Sequence, residues 1–238
     1  MRSVVLTGVS RGLGAALFDQ LTSQGDRVLA IGRRFTGAQR DLATAHPDRV
    51  RLHEADLADP GQLPKPADLA EFMGTEPSVL VLNAGVLEPV GAVGALDPAA
   101  VASAVAVNLT APMLLANAFL AARSAARSAA AGQVGSARIL FISSGAAHRT
   151  VPGWAVYCAT KRGAEMFFET LAAEAPDVAV ANVNPGVMDT AMQATIRRAD
   201  SFPERDRYVG LYERGELSDP ADVARRIVAE HLSKFSDR

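Results

Sequence analysis

The sequence predicts an α/β protein built on one doubly wound parallel sheet with helices on both faces. Three observations lead there. Short β-branched or apolar runs alternate with longer helical stretches from end to end. The runs are rich in Val, Leu and Ile with little polar alternation, as in strands buried on both sides. A glycine-rich turn directly follows the first run, where a helix is due to begin.

Taken in order, Ser3–Thr7 is the first strand, and the turn after it leads into a helical segment, Gly12–Ser23. Arg27–Ile31 is the second strand, Gly37–Ala45 a helix, and Val50–Glu54 and Val79–Asn83 the third and fourth strands. Pro98–Ala130 is dense in alanine, and its high helix propensity predicts one long helix closed by a glycine-containing turn. Arg138–Ser143 is the fifth strand, Ala155–Glu174 a helix and Val178–Asn184 the sixth strand. Beyond Pro185 the pattern breaks into short helical pieces, Ile196–Arg207 among them. A last helix, Pro220–Ser233, opens at Ser218-Asp219-Pro220, a capping residue followed by proline in the first turn. No repeat or linker divides the chain, so residues 1–238 are expected to form a single Rossmann-type domain, with 187–215 as its substrate-binding loop region.

Composition narrows the function classes. The 238 residues and 24.9 kDa are enough for a real hydrophobic core. A single cysteine, Cys158, excludes an intramolecular disulfide framework and any cysteine-based zinc or iron–sulfur site. The four histidines, His46, His53, His148 and His231, show no ligand spacing, so no metal is expected. A net charge of −2 favours neither nucleic acid nor an anionic membrane as partner. Only Met1 and Arg2 precede the first strand, which leaves no room for a leader, and no continuous apolar stretch is read as a membrane span. The expected location is cytoplasmic.

Two places carry chemistry. In Thr7-Gly8-Val9-Ser10-Arg11-Gly12-Leu13-Gly14 the glycines let backbone approach a pyrophosphate, whose charge the following helix N-terminus favours. The spacing is G-x-x-x-G-x-G, not the best-known G-x-G-x-x-G. The second strand then ends in Gly32-Arg33-Arg34 without the carboxylate that would hold an adenosine ribose and repel a 2′-phosphate. With Arg11 nearby, guanidinium groups suit that phosphate, so NADP(H) is expected over NAD(H). The second place is Tyr157-Cys158-Ala159-Thr160-Lys161: four residues apart on a helix, the phenol and ammonium share one face. A neighbouring Lys⁺ stabilises phenolate and draws the tyrosine pKa toward the working range.

The glycine turn, Asn83-Ala84-Gly85, Ser144 thirteen positions before Tyr157, and Lys161 together resemble the short-chain dehydrogenases/reductases, over Val4 to about Thr190. The resemblance implies that Tyr157 protonates the substrate oxygen and Ser144, rather than Ser143, hydrogen-bonds it. It also implies that Lys161 holds the nicotinamide ribose and that Asn108 links Lys161 through water to a proton relay. It places Gly8, Ser10, Arg11, Gly12, Leu13, Gly14, Arg33 and Arg34 around the adenosine and phosphates, Asp56 and Leu57 beside the adenine, and Asn83, Ala84 and Gly85 in a cofactor-proximal turn. Pro185, Gly186, Val187 and Thr190 match the segment at the nicotinamide end. His148 either lines the pocket or is an ordinary loop histidine, and Met192, Phe202, Tyr208 and Trp154 are equally open between pocket and packing.

Within that family, Gly153–Lys161 and Asn184–Gln193 look like the sepiapterin reductases and the related benzil reductases. The sequence ends at Lys234-Phe235-Ser236-Asp237-Arg238, where the sepiapterin reductases continue into a further strand and an acidic residue that anchors the pterin. The expected function is therefore NADPH-dependent reduction of a carbonyl, a vicinal diketone in particular, to a secondary alcohol. The same residues serve oxidation of a secondary alcohol by NADP. A non-catalytic NADP(H) sensor would be expected to have lost Tyr157 or Lys161, and both stand in the sequence. Without a terminal strand, pairing through Pro98–Ala130 and Ala155–Glu174 predicts a homodimer.

Overall fold

A computed structural model of the chain describes residues 1–199 and 202–232. The six strands are β1 (Ser3–Thr7), β2 (Arg27–Gly32), β3 (Val50–Glu54), β4 (Ser78–Leu82), β5 (Ala137–Ile142) and β6 (Val178–Val183). They form one parallel sheet in the order β3-β2-β1-β4-β5-β6. The chain starts in the middle of the sheet, winds outward to β3, then returns to β4 and winds the other way. The direction of winding reverses between β1 and β4, where the carboxyl ends of the strands open into a crevice.

Alternate residues of each strand face opposite layers, so one run of apolar residues feeds two cores. Val5, Leu29, Leu80 and Ile139 pack against α3 (Pro66–Met73), α5 (Ala111–Ala129) and α6 (Ala155–Glu174). Their neighbours Val4, Val28, Val79 and Leu140 pack against α1 (Gly12–Ser23) and α9 (Pro220–His231). Central β1 and β4 are buried throughout, which accounts for their unbroken apolar sequence, whereas edge strand β3 is half-exposed. Helix α2 (Gly37–Ala45) lies beyond β2 and opens with a capping box between Thr36 and Gln39.

The structure departs from the sequence reading in three places. Helix α3 lies in the stretch between Glu54 and Val79, to which the sequence reading assigned no element. Pro66 occupies the first helical position, where its missing N–H costs nothing, and the Asp68 carboxylate accepts from the Lys65 N–H at 2.9 Å. The long alanine-rich helix is in fact α4 (Pro98–Val105), a π-helical turn over Ala106–Thr110, and α5. This stretch, Pro98–Ala129, is long and apolar enough to cross a membrane by length and composition, which the sequence reading did not register. Here its inward side chains, Leu115 and Phe119 among them, build the core. The expected piece Ile196–Arg207 resolves into α7 (Ala191–Arg198) and α8 (Arg205–Glu213), while Asp200 and Ser201 lie outside the described residues. So do Ser233, expected as the last residue of α9, and the terminal Lys234–Arg238.

Helices α7 and α8 belong to an excursion whose two ends meet. Met188 and Ser218 form an isolated parallel bridge, with Ser218 N–H donating to the Val187 carbonyl at 3.0 Å and Asp189 N–H to the Ser218 carbonyl at 3.1 Å. At its far side, the Arg149 guanidinium grips the Glu204 carboxylate through both nitrogens at 2.9–3.0 Å. Phe202 stacks on Trp154 with ring centroids 4.7 Å apart.

Candidate active site

The crevice is a cavity of about 680 Å³ at the carboxyl ends of the strands. The turn between β1 and α1 forms its floor. Gly8 has φ +75°, a conformation that favours glycine, and a Cβ on Gly14 would lie 1.9 Å from the Gly8 carbonyl oxygen. Arg11, at the N-cap of α1, makes no side-chain cap, so the first N–H groups of the helix are left for an anion beside Gly12, Leu13 and Gly14, which line the cavity.

Three side chains that the sequence reading did not single out as braces, or missed altogether, hold this turn. The Thr7 hydroxyl accepts from the N–H groups of Asn83 and Ala84, both at 3.0 Å. The Asn83 amide donates back to the carbonyls of Thr7 and Gly8 at 3.1 Å, tying the ends of β1 and β4 together. Gln39, buried on α2, donates to the Val9 carbonyl at 2.8 Å. Its capping-box spacing three residues after Thr36 was the available signal.

The cavity gathers Gly8, Ser10, Arg11, Gly12, Leu13, Gly14, Arg33, Arg34, Asp56, Leu57, Asn83, Ala84, Gly85, Tyr157, Lys161, Pro185 and Thr190, all expected from the sequence. Ser144, Asn108, Gly186 and Val187 do not line it: Ser144 caps the Gly145–Ala147 turn, Asn108 is fully buried, Gly186 is an exposed turn residue, and Val187 packs against the cluster of Trp154, Phe202 and Tyr208. Arg11, Arg33 and Arg34 are exposed at the mouth and, among the described residues, take no ion pair from the protein. Met192 lines the cavity as well, whereas Trp154, Phe202 and Tyr208 stack on one another above Tyr157.

At the other end of the cavity, three consecutive residues leaving β5 are each bonded to the inner face of α6. The Ile142 carbonyl accepts from Lys161 Nζ at 2.8 Å, Ser143 Oγ donates to Glu165 at 2.5 Å, and the Ser144 hydroxyl bonds the Tyr157 phenol. Tyr157, Lys161 and Glu165 are spaced four apart, which puts them in one row. Ser143 is thus committed to Glu165 and Ser144 to Tyr157, in line with the thirteen-residue spacing. His148 does not line the cavity; its Nε2 lies 3.0 Å from Glu165 on the solvent side.

Asn108 is fully buried in the π-helical turn, where its side chain exchanges 2.8 Å hydrogen bonds with the backbone of Val86 and donates to Thr160 Oγ1 at 3.3 Å. A single π turn inside an α-helix commonly marks a functional place. A Cβ on Gly85 would lie 3.4 Å from both Asn108 Oδ1 and Lys161 Nζ, so the glycine lets both side chains close on one backbone turn.

Electrostatically, the site differs from the simple sequence picture. Burial pushes the Tyr157 phenol above its ordinary value, and the Ser144 hydrogen bond, which favours phenolate, opposes this. Burial also lowers the Lys161 ammonium to about 8, and the nearby Glu165 charge opposes that fall.

A doubly wound sheet, a glycine turn feeding a helix N-terminus, and a Tyr and Lys in one cavity with a Ser bonded to the Tyr define a dinucleotide-binding α/β oxidoreductase. The chain belongs to the short-chain dehydrogenase family, whose model matches residues 2–201. It is 33% identical to the benzil reductase ((S)-benzoin forming) of Bacillus cereus, covering 95% of this chain and 92% of that one. It is likewise 33% identical to the sepiapterin reductase of Meriones unguiculatus, over 94% of this chain and 88% of that one. A metagenomic short-chain oxidoreductase solved in complex with NADP superposes with a TM-score of 0.66 at 27% identity, over 99% of this chain and 93% of that one.

Proposed function

We propose that the protein is an NADPH-dependent carbonyl reductase that acts on a vicinal diketone. The observation that carries this reading is the placement of Tyr157, bonded to Ser144, and Lys161 at the end of a cavity whose other end is a glycine turn ringed by three arginines that take no ion pair among the described residues. Arg11, Arg33 and Arg34 would hold the 2′-phosphate, the Gly8–Gly14 turn the pyrophosphate, Asp56 and Leu57 the adenine, and Thr190 and Pro185 the nicotinamide end. NADPH bound there supplies a hydride to the carbonyl carbon.

The chain's own residues handle the oxygen. The Tyr157 phenol gives its proton to the carbonyl oxygen as negative charge develops on it, and the Ser144 hydroxyl donates a hydrogen bond to the same oxygen. The high phenol pKa keeps Tyr157 protonated and ready at neutral pH, and Lys161⁺ stabilises the phenolate left behind. Asn108 holds the backbone turn against Lys161. The aromatic lid of Trp154, Phe202 and Tyr208 excludes water from the oxygen's surroundings. Likeness to benzil reductase supports the diketone, whose second oxygen distinguishes it from a plain ketone.

The test is NADPH consumption with benzil, an aryl alkyl diketone, sepiapterin and a monoketone, with Y157F alongside. Diketone turnover that disappears in Y157F supports the proposal. Tight NADPH binding with no turnover of any of the four would refute it.

A further inference from the structure

The row of contacts between β5 and α6 contains one residue that the reaction above does not use. Glu165 is buried with its side chain only 4% exposed, yet it carries a carboxylate among the apolar neighbours of α6. An isolated carboxylate at such a place is costly, so its partners show what it is for. On the inner side it accepts from Ser143 Oγ at 2.5 Å, and on the outer side it faces His148 Nε2 at 3.0 Å and Arg162 at 3.5 Å. Its backbone carbonyl also accepts from the Asn182 amide at 3.3 Å, fixing α6 to β6.

We propose that Glu165 is a positioning residue of the redox site, holding Ser143 so that the next residue, Ser144, meets Tyr157, and setting a fixed negative charge one helical turn from Lys161. Ser143 is the middle of three adjacent contacts, and it lines the cavity one residue before Ser144, the cap of the Gly145–Ala147 helical turn. Anchoring the Ser143 hydroxyl fixes the backbone from which Ser144 reaches the phenol, while the Ser144 hydroxyl also accepts from the Ala146 N–H at 3.2 Å. The charge has a second use, because among the described residues Lys161 has no carboxylate within ion-pair distance and its ammonium donates to the neutral Ile142 carbonyl. The groups facing Lys161 are Tyr157 and Glu165 from its own helix, the Phe141 ring and Ile142 carbonyl from β5, and Asn108 across Gly85. His148 and Arg162 sit beyond the carboxylate, on the side away from Ser143. This proposal rests on the reductase reading for its kinetic arm only.

The first arm needs no turnover. The Lys161 side chain of the cofactor-free protein is titrated by carbon-13 NMR on lysine-labelled protein, with the signal assigned by its absence in K161R. In E165Q, which keeps the size and the acceptor for Ser143 but removes the charge, the Lys161 midpoint is expected to fall by about half a pH unit or more. The kinetic arm uses NADPH and the best carbonyl of the panel. E165Q should lower kcat about tenfold with KM within about twofold, and move the alkaline limb of the pH profile down with the Lys161 midpoint. S143A should lower kcat and leave the Lys161 midpoint in place, and S143T, which restores the hydroxyl, should recover most of the loss.

An unchanged Lys161 midpoint in E165Q overturns the electrostatic role, and wild-type kcat in S143A overturns the positioning role, whether or not E165Q folds. If no carbonyl of the panel is reduced by the wild type, the reductase reading fails while the NMR arm still decides on Glu165.

Discussion

Lys161 is buried to 3% exposure, and its ammonium donates to the backbone carbonyl of Ile142 at 2.8 Å. Such a cation is an expense to the fold. Its folded pKa of about 8 lies below the ordinary 10.5, so the unfolded chain binds more protons between those values. Stability due to this group therefore rises as pH climbs from about 8 toward 10.5, and the cost is fully present at neutral pH. We expect K161M to abolish reduction yet raise stability at pH 7 by about 1–2 kcal/mol, after loss of the Ile142 bond, or a few degrees in Tm. The gap between mutant and wild type should shrink near pH 10; calorimetry at the two pH values checks it, and a less stable K161M at pH 7 contradicts it.

Y157F keeps the ring that packs edge-on against Trp154 at 5.9 Å and loses only the hydroxyl. Reduction should fall by about 10²–10⁴-fold, with NADPH affinity within about threefold of wild type by fluorescence titration. Equal losses in binding and turnover would mean that the phenol holds the cofactor instead of moving a proton.

Arg33 and Arg34 line the cavity mouth at the end of β2, exposed and without an ion pair among the described residues. Replacing both with alanine should weaken NADPH binding by about 10–100-fold, from charge-assisted bonds of about 1.5–3 kcal/mol, and leave NADH binding alone. Calorimetric titration with both nucleotides is the check; a parallel loss for the two would remove these arginines from phosphate recognition.

Leu114 on α5 is 39% exposed and Met166 on α6 is 51% exposed, two of the few large apolar side chains left open to solvent among the described residues. They stand on the helices expected to pair two copies. Light scattering should report a dimer for the wild type and a monomer for the double variant L114E/M166E. A wild-type monomer would reject the pairing.

Much of the frame was legible in sequence because its signals are local. The buried strands announce themselves by unbroken Val, Leu and Ile, and the glycine turn by its place after β1. Observed strand limits match the expected ones at half of the ends and differ by a single residue at the other half, as for β5, which runs Ala137–Ile142 where Arg138–Ser143 was expected. Helix α3 went unassigned because its eight residues, opening on Pro66, carry only two turns of helical pattern. The π-helical turn at Asn108 was invisible because its cause is tertiary: the Asn108 side chain reaches across to Val86. In the site, Tyr157, Lys161 and Ser144 could be found by spacing. Glu165 sits at the same four-residue interval and went unread, since a glutamate on a helix ordinarily faces water and only the folded β5 shows what it touches. Gly186 and Val187 belong to a motif whose contacts depend on where the chain turns after β6.

The Met188–Ser218 bridge closes residues 189–217 at their base while the frame below stays complete. Segments tethered in this way can be lengthened, shortened or exchanged at little entropic penalty, since their ends are already together. On the proposed reductase reading, substrate selectivity would sit in this replaceable cassette, apart from Tyr157 and Lys161 on α6. Grafting 189–217 from a relative with another substrate should transfer preference without rebuilding the enzyme, so this clasp marks the natural splice points for engineering.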